Sequence, residues 1–323
     1  MESCEFLRLK RELQQFVPIP QIFSHIDRLL SLLSPLQFQL AFIKHIIHTS
    51  SIDRFDSGLL VKLSAYIFKK FDKIYSDSKY AFEDEFVDFF SVSNSHGDGK
   101  CDRFYELDQE RFIHIRCSES LISEGTTGYS LWEASVVLLA SLTDSMNKYT
   151  PYFYNKRVLE LGSGTGLGGL AIAALAYPQS ILLSDVSQVH VAYTEPNIVL
   201  NPFLNLNLDS KVIYWNDLVD EVEEYAGQFD TIVGCDLVYD PEICCRLFSA
   251  LKALLSAKSS STNQIVLFCT LRNPQTFDDF VRDLRNEKNI SLSVEELCYD
   301  PNNPIILNSI ESFRILIINK IFS

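Results

Sequence analysis

The stretch Arg157-Val158-Leu159-Glu160-Leu161-Gly162-Ser163-Gly164-Thr165-Gly166, running on into LGGLAIAAL (167–175), decides the fold. Its first five residues are a short, mostly apolar run of strand length, and its last nine are small and apolar in the manner of a buried helix. Glycines at 162, 164 and 166 let the chain turn sharply between the two and let a ligand approach the backbone closely. A bare GxGxG is shared with dinucleotide-binding enzymes. Two details point elsewhere. Glu160 stands two residues before the first glycine, where an acid has no pyrophosphate role, and the spacing departs from GxGxxG.

Outward from this turn, strands and helices alternate. Strands are predicted at 157–161, 180–185, 211–215, 229–235 and 264–270, with helices at 132–142, 189–200, 241–255 and 274–286. Two further strands, 292–297 and 313–319, have no helix between them. Alternation of this kind implies a doubly wound parallel sheet, and the closing pair implies an antiparallel hairpin at its edge.

Several residues fall where such a sheet gathers its ligands, at the carboxyl ends of its strands. Asp185 ends the second strand and can accept hydrogen bonds from both hydroxyls of a ribose. Trp132 and Trp215, the chain's two tryptophans, fall at the rim of the same crevice, where an indole can stack on a base or serve simply as packing. Asp236-Leu237-Val238-Tyr239 follows the fourth strand. Asp240 before Pro241 already supplies the cap of the next helix, so Asp236 is left for another task, and a carboxylate there suits a cationic amine.

The first 95 residues read as helices, at 5–16, 21–33, 36–47 and 59–74, with no glycine before Gly58. They carry apolar stripes and no chemical constellation, as expected of an accessory domain that packs on the rest or holds a partner. SVSNSHGDGK (91–100) is turn-rich and reads as a linker, placing a domain division at 95/96. Runs at 103–108 and 111–118 alternate in polarity and predict a β-hairpin. His114 within it reads as structural.

Charge is unevenly placed. Residues 1–95 hold 11 Lys and Arg against 12 Asp and Glu, whereas residues 96–323 hold 17 against 30. An acidic body of this kind repels a phosphate backbone, which argues against nucleic acid as substrate. No run of 18 apolar residues argues for a membrane span, and the charged N-terminus has no signal-peptide core. The eight cysteines form neither a CxxC pair nor a metal pattern, so reduced thiols in a cytosolic or nuclear protein, without a metal, are expected, with the cytoplasm as the expected place.

Taken in order, TTGYSLWEAS (126–135), VLELGSGTGLGGLAIA (158–173), Ser184-Asp185, VIYWND (212–217) and GCDLVYDPE (234–242) resemble the seven-β-strand protein methyltransferases of methyltransferase family 16, which carry a DxxY motif. ISEGTTG (122–128), FCTLRNPQTF (268–277) and the long helical N-terminal extension are similar to the FAM86 branch, which methylates a lysine of translation elongation factor 2. The resemblance covers about residues 120–285. It implies an α/β fold with a Rossmann-like seven-stranded methyltransferase sheet and the β-hairpin within residues 96–323, preceded by the helical domain (1–95). It also implies S-adenosylmethionine held by Trp132, Gly162, Ser163, Gly164, Asp185, Trp215 and Cys235, with Glu160 near the methionine end. Asp236 and Tyr239 would form the substrate site. Gly234-Cys235 stands where relatives commonly have two small residues. The expected function is protein-lysine methylation by a monomer, most specifically of elongation factor 2. Other readings are a different protein lysine (on a chaperone or ATPase), a small-molecule or RNA substrate, and a scaffold that keeps the fold without the chemistry.

Overall fold

Among the described residues, apolar spacing sets the N-terminal helices α1 (Glu2–Gln14), α2 (Ile19–Leu32) and α3 (Pro35–Phe42). Phe6, Leu9 and Leu13 bury one face of α1, and Ile22, Ile26, Leu29 and Leu30 bury one face of α2. The computed structural model describes residues 2–15, 19–33, 35–42, 63, 66–67, 100–107, 111–118, 130–144, 148–202, 207–257, 260–297, 299, 303, 305, 307 and 312–321. The expected fourth helix (59–74, apart from the helical Leu63, Tyr66 and Ile67), the linker (91–100, apart from Lys100) and ISEGTTG (122–128) lie outside these residues.

Two strands, β1 (Lys100–Glu106) and β2 (Phe112–Ser118), pair antiparallel as the expected hairpin, with Phe104 opposite His114. The chain divides into two units, 1–120 with 304–308, and 121–303 with 309–323. The hairpin therefore groups with the N-terminal helices, not with the sheet that follows.

The second unit is built on a seven-stranded sheet. Its strands are β3 (Arg157–Leu161), β4 (Ser180–Asp185), β5 (Leu208–Val212), β6 (Thr231–Cys235), β7 (Gln264–Thr270), β8 (Ile290–Glu296) and β9 (Phe313–Lys320), in the order β5-β4-β3-β6-β7-β9-β8. The first five are parallel, and β9 runs antiparallel between β7 and β8. Central strands β3, β6 and β7 are buried along nearly their whole length, which explains their unbroken apolar runs. Edge strand β8 alternates in sequence instead, and its Ile290, Leu292 and Val294 pack on the core.

Helices cover the sheet. Among them, α4 (Glu133–Thr143) and α5 (Leu167–Leu175) are apolar on every side and almost wholly buried. A helical turn Ser187–Val189 and a π-helical turn His190–Thr194 lead into α6 (Glu195–Val199), where the sequence suggested one regular helix. Trp215 does not end a strand as expected. Strand β5 stops at Val212, and Trp215 opens α7 (Trp215–Asp220), which is followed by α8 (Val222–Tyr225). The longest of these helices is α9 (Pro241–Ser256), while α10 (Pro274–Arg285) buries Phe277, Phe280, Val281 and Leu284 at helical spacing.

Candidate functional site

Strand order reverses between β3 and β6, since the chain steps outward from β3 through β4 to β5 and then returns. A crevice opens at that reversal, at the carboxyl ends of the strands. A cleft of about 330 Å³ lies there, within the range of small-molecule sites.

The turn after β3 forms its floor. Gly162, Gly164 and Gly166 all have positive φ, 60°, 55° and 84°. At Gly162 a side chain would also be too close to Leu237, whose Cδ2 lies 2.6 Å from where a Cβ would stand. Hydrogen bonds pin the turn: Thr194 Oγ1 donates to Gly164 O at 2.8 Å, and Asn197 Nδ2 donates to Thr165 O at 2.8 Å.

Asp185 ends β4 beside this turn. One carboxylate oxygen accepts the Gly164 N–H at 2.7 Å, and the other accepts the Val186 N–H at 2.7 Å. Burial pushes its pKa up while these two amides pull it down. Each oxygen keeps a second acceptor position for a ligand hydroxyl. Trp132, Trp215, Ile213 and Val189 add apolar walls, and Gly162, Gly164, Cys235, Asp236 and Tyr239 also line the cleft. Eight of the ten residues singled out in the sequence are thereby brought together.

Glu160 and Ser163 are not among the lining residues. Glu160 is 1% exposed and lies beneath the first turn of α5, where Oε2 accepts the Gly169 N–H at 3.0 Å. A Cβ at Gly169 would stand 2.7 Å from that oxygen, so glycine is required for the carboxyl to fit. Glu160 thus caps a helix from a neighbouring strand. Ser163 Oγ accepts the Ser184 N–H at 2.9 Å and donates to Ser184 O at 3.2 Å, tying the glycine turn to β4. Both residues shape the site from below, Glu160 through the Gly169 amide and Ser163 through the backbone of Ser184.

Asp236 is not free either. Its backbone is left-handed, φ 58°, and its carboxylate accepts from Thr270 N at 2.7 Å, Thr270 Oγ1 at 3.0 Å and Arg272 Nη2 at 2.8 Å. The Arg272 guanidinium in turn lies 4.4 Å from the centre of the Trp132 ring. Asp240 caps α9 as expected, accepting from the Glu242 and Ile243 amides. Sequence reasoning missed Thr270 and Arg272. Both lie in FCTLRNPQTF, which carried part of the resemblance but offered no spacing to tie them to Asp236.

Cys235 and Cys269 have thiols pushed well above their usual range, chiefly by burial and then by neighbouring carboxylates. Such thiols are poor nucleophiles. Among the described residues no cluster suits a metal ion, and no helix is long and apolar enough to cross a membrane.

A parallel sheet with a strand-order reversal, a left-handed glycine turn and a carboxylate at the end of the next strand defines a nucleoside-binding class of α/β protein. The chain belongs to the family described as Lysine methyltransferase, which it matches over residues 113–287. It is similar to human FAM86B2, 30% identical over 192 residues that cover 56% of this chain and 57% of that one. The human protein-lysine N-methyltransferase EEF2KMT is 29% identical over 193 residues, with the same coverage. The calmodulin-lysine N-methyltransferase of Arabidopsis thaliana is 32% identical over 136 residues, covering 42% of this chain and 43% of that one. The chain thus spans about half the length of the curated relatives it matches. Among solved structures, an O-methyltransferase from Bacillus cereus in complex with SAH is 15% identical with a TM-score of 0.40, covering 59% of this chain and 83% of that one.

Proposed function

We propose that this chain transfers a methyl group from S-adenosylmethionine to a lysine side chain of a protein, and that this protein is translation elongation factor 2. The observation that carries the reading is the meeting of two sets of residues on one cleft: Gly162, Gly164, Asp185, Trp132, Trp215 and Cys235, with Asp236 and Tyr239. The first set fits a nucleoside, offering a carboxylate for a ribose, indoles for a base and exposed backbone at the glycine turn. When bound, the cofactor supplies an electrophilic methyl group. Membership of the lysine methyltransferase family supports a lysine as acceptor, and similarity to EEF2KMT supports the choice of protein. On this reading the chain works as a monomer in the cytoplasm, and residues 1–95 belong to an accessory unit that precedes the catalytic one.

A lysine must be neutral to attack. From an ordinary pKa of about 10.4, neutrality at pH 7 costs about 4–5 kcal/mol. The Asp236 carboxylate orients the incoming ammonium but favours its charged form. With Thr270 and Arg272 already on that carboxylate, its task is orientation, and water takes the proton. Tyr239 is a wall of the acceptor slot, and exclusion of water there lowers the amine's pKa.

The test is incubation with tritiated S-adenosylmethionine and purified elongation factor 2, beside a lysate lacking the endogenous activity. Label on an elongation factor 2 lysine, absent with Asp236→Ala although that variant still binds cofactor, is the expected result. Normal turnover by Asp236→Ala would remove Asp236 from the mechanism. A labelled band of another size would move the substrate within the family, and the similarity to a calmodulin-lysine N-methyltransferase gives that second reading its support.

A further inference from the structure

A carboxylate beside an aromatic face is a recognition set for an organic cation. Asp236 and Trp132 make such a pair at the cleft, and a cation of the chain itself holds both. Arg272 Nη2 donates to Asp236 Oδ2 at 2.8 Å, and its guanidinium carbon is 4.4 Å from the Trp132 ring centre.

The two partners of this ion pair are anchored differently. Asp236 is fixed by its Thr270 bonds and by its own N–H, which donates to Phe268 O at 2.8 Å. Its side chain is 6% exposed. Arg272 stands on the segment between β7 and α10, and 38% of its side chain is open to solvent. The acceptor is thus built into the sheet, while the donor reaches it from the surface on a flexible stem.

We propose that Arg272 is a displaceable stand-in for the substrate's cation. It holds the Asp236 carboxylate and the Trp132 face in the resting protein, and yields both to the arriving lysine ammonium. The inference rests on the lysine-transfer reading above and adds a gate to it. A lysine ammonium makes the same two contacts, with the Asp236 carboxylate and with the Trp132 ring, that it takes from Arg272, so the exchange is close to balanced. The arrangement also keeps a nearly buried carboxylate paired while no substrate is present.

The chain has two tryptophans, so its indole N–H spectrum holds two resonances, which Trp215→Phe assigns. The probe is Nα-acetyl-lysine methylamide, titrated into the protein with S-adenosylhomocysteine present. In the wild type the Trp132 resonance moves as the probe binds, and the Arg272 Nε–H resonance moves with it towards that of a free arginine. Arg272→Gln removes the competitor, and half-saturation falls by about threefold to tenfold, the worth of one ion pair whose cation is open to solvent and of its ring contact. Arg272→Lys keeps a cation but loses the planar guanidinium over Trp132, and its half-saturation falls between those of the wild type and Arg272→Gln.

Unchanged or weaker probe binding in a folded Arg272→Gln overturns the gate, since an arginine that merely props up Asp236 gives that result. If Arg272→Gln does not fold, the wild-type Arg272 resonance decides: stationary while Trp132 moves, it contradicts the proposal. Calorimetry with S-adenosylmethionine on the same samples separates the two levels. No cofactor binding by the wild type sinks the function itself, whereas binding without an Arg272 effect sinks the gate alone.

Discussion

Glu160 buries a carboxyl beneath the glycine turn, and burial pushes its pKa up to about 8, with Asp185 pushing the same way. Bonds from Ser163 and Gly169 oppose the shift without cancelling it. The folded state therefore holds a proton that the unfolded chain releases near pH 4.5. Between those values the folded state binds more protons, so stability falls as pH rises towards 8. Glu160→Gln is expected to abolish that slope, which urea unfolding at pH 5.5 and 8 reads directly, with a difference on the order of a few kcal/mol at most. At Asp185 the expectation concerns binding. Asp185→Ala removes the ribose acceptor and the anchor of the Gly164 amide, and cofactor affinity drops at least about tenfold, the worth of a lost charge-assisted hydrogen bond. Asp185 and the glycine turn were legible because each follows a strand end, which sequence patterns reveal, whereas the two tryptophans, one before α4 and one opening α7, stood out by their rarity. The partners of Asp236 were not, because Thr270 and Arg272 reach it across 34 and 36 residues of chain, and only the parallel pairing of β6 with β7 brings them close.

Elements here are held at their ends as much as along their faces. Asp240 and Asn273 each accept two amides at the first turns of α9 and α10. Asp240→Ala is expected to cost about 1 kcal/mol in thermal or urea unfolding, with little effect on the cleft floor. In the hairpin, burial alone pushes the Asp102 carboxyl up, but hydrogen bonds from His114 and Arg116 outweigh it and hold the pKa at about 2. A depressed acid stabilises the fold above about pH 4, and its contribution fades as pH falls through 2. The stability gap between the wild type and Asp102→Asn is therefore expected to be wider at pH 6 than at pH 2.5. His114 was read as structural from the sequence, and its bond to Asp102 and its stacking on Phe104 at 4.4 Å give that role a geometry. The break between β5 and α7 was misread, since Ile213 and Tyr214 are strand-like residues that here serve as cleft lining. The π-helical turn left no sequence signal either, because it differs from α-helix by one hydrogen-bond register.

At the scale of the whole molecule, seven strands followed from alternation of strand and helix patterns, with β8 and β9 closing the sheet edge as an antiparallel pair, while the order of the strands came from the structure. Division into units was harder to read: composition marks a linker near residue 95, whereas the hairpin belongs with residues 1–120. That grouping depends on packing across distant segments, which a local composition shift does not reveal. The acidic balance of the second half left phosphate backbones disfavoured as partners and a basic protein surface favoured. All of this converges on one claim, that the crevice between β3 and β6 holds S-adenosylmethionine through the glycine turn and Asp185. Calorimetric titration of the cofactor into the wild type and into Asp185→Ala tests it most directly. One site per chain, weakened at least about tenfold in the variant, is the expected result. Absence of binding to a folded wild type, or equal binding to both proteins, would contradict it.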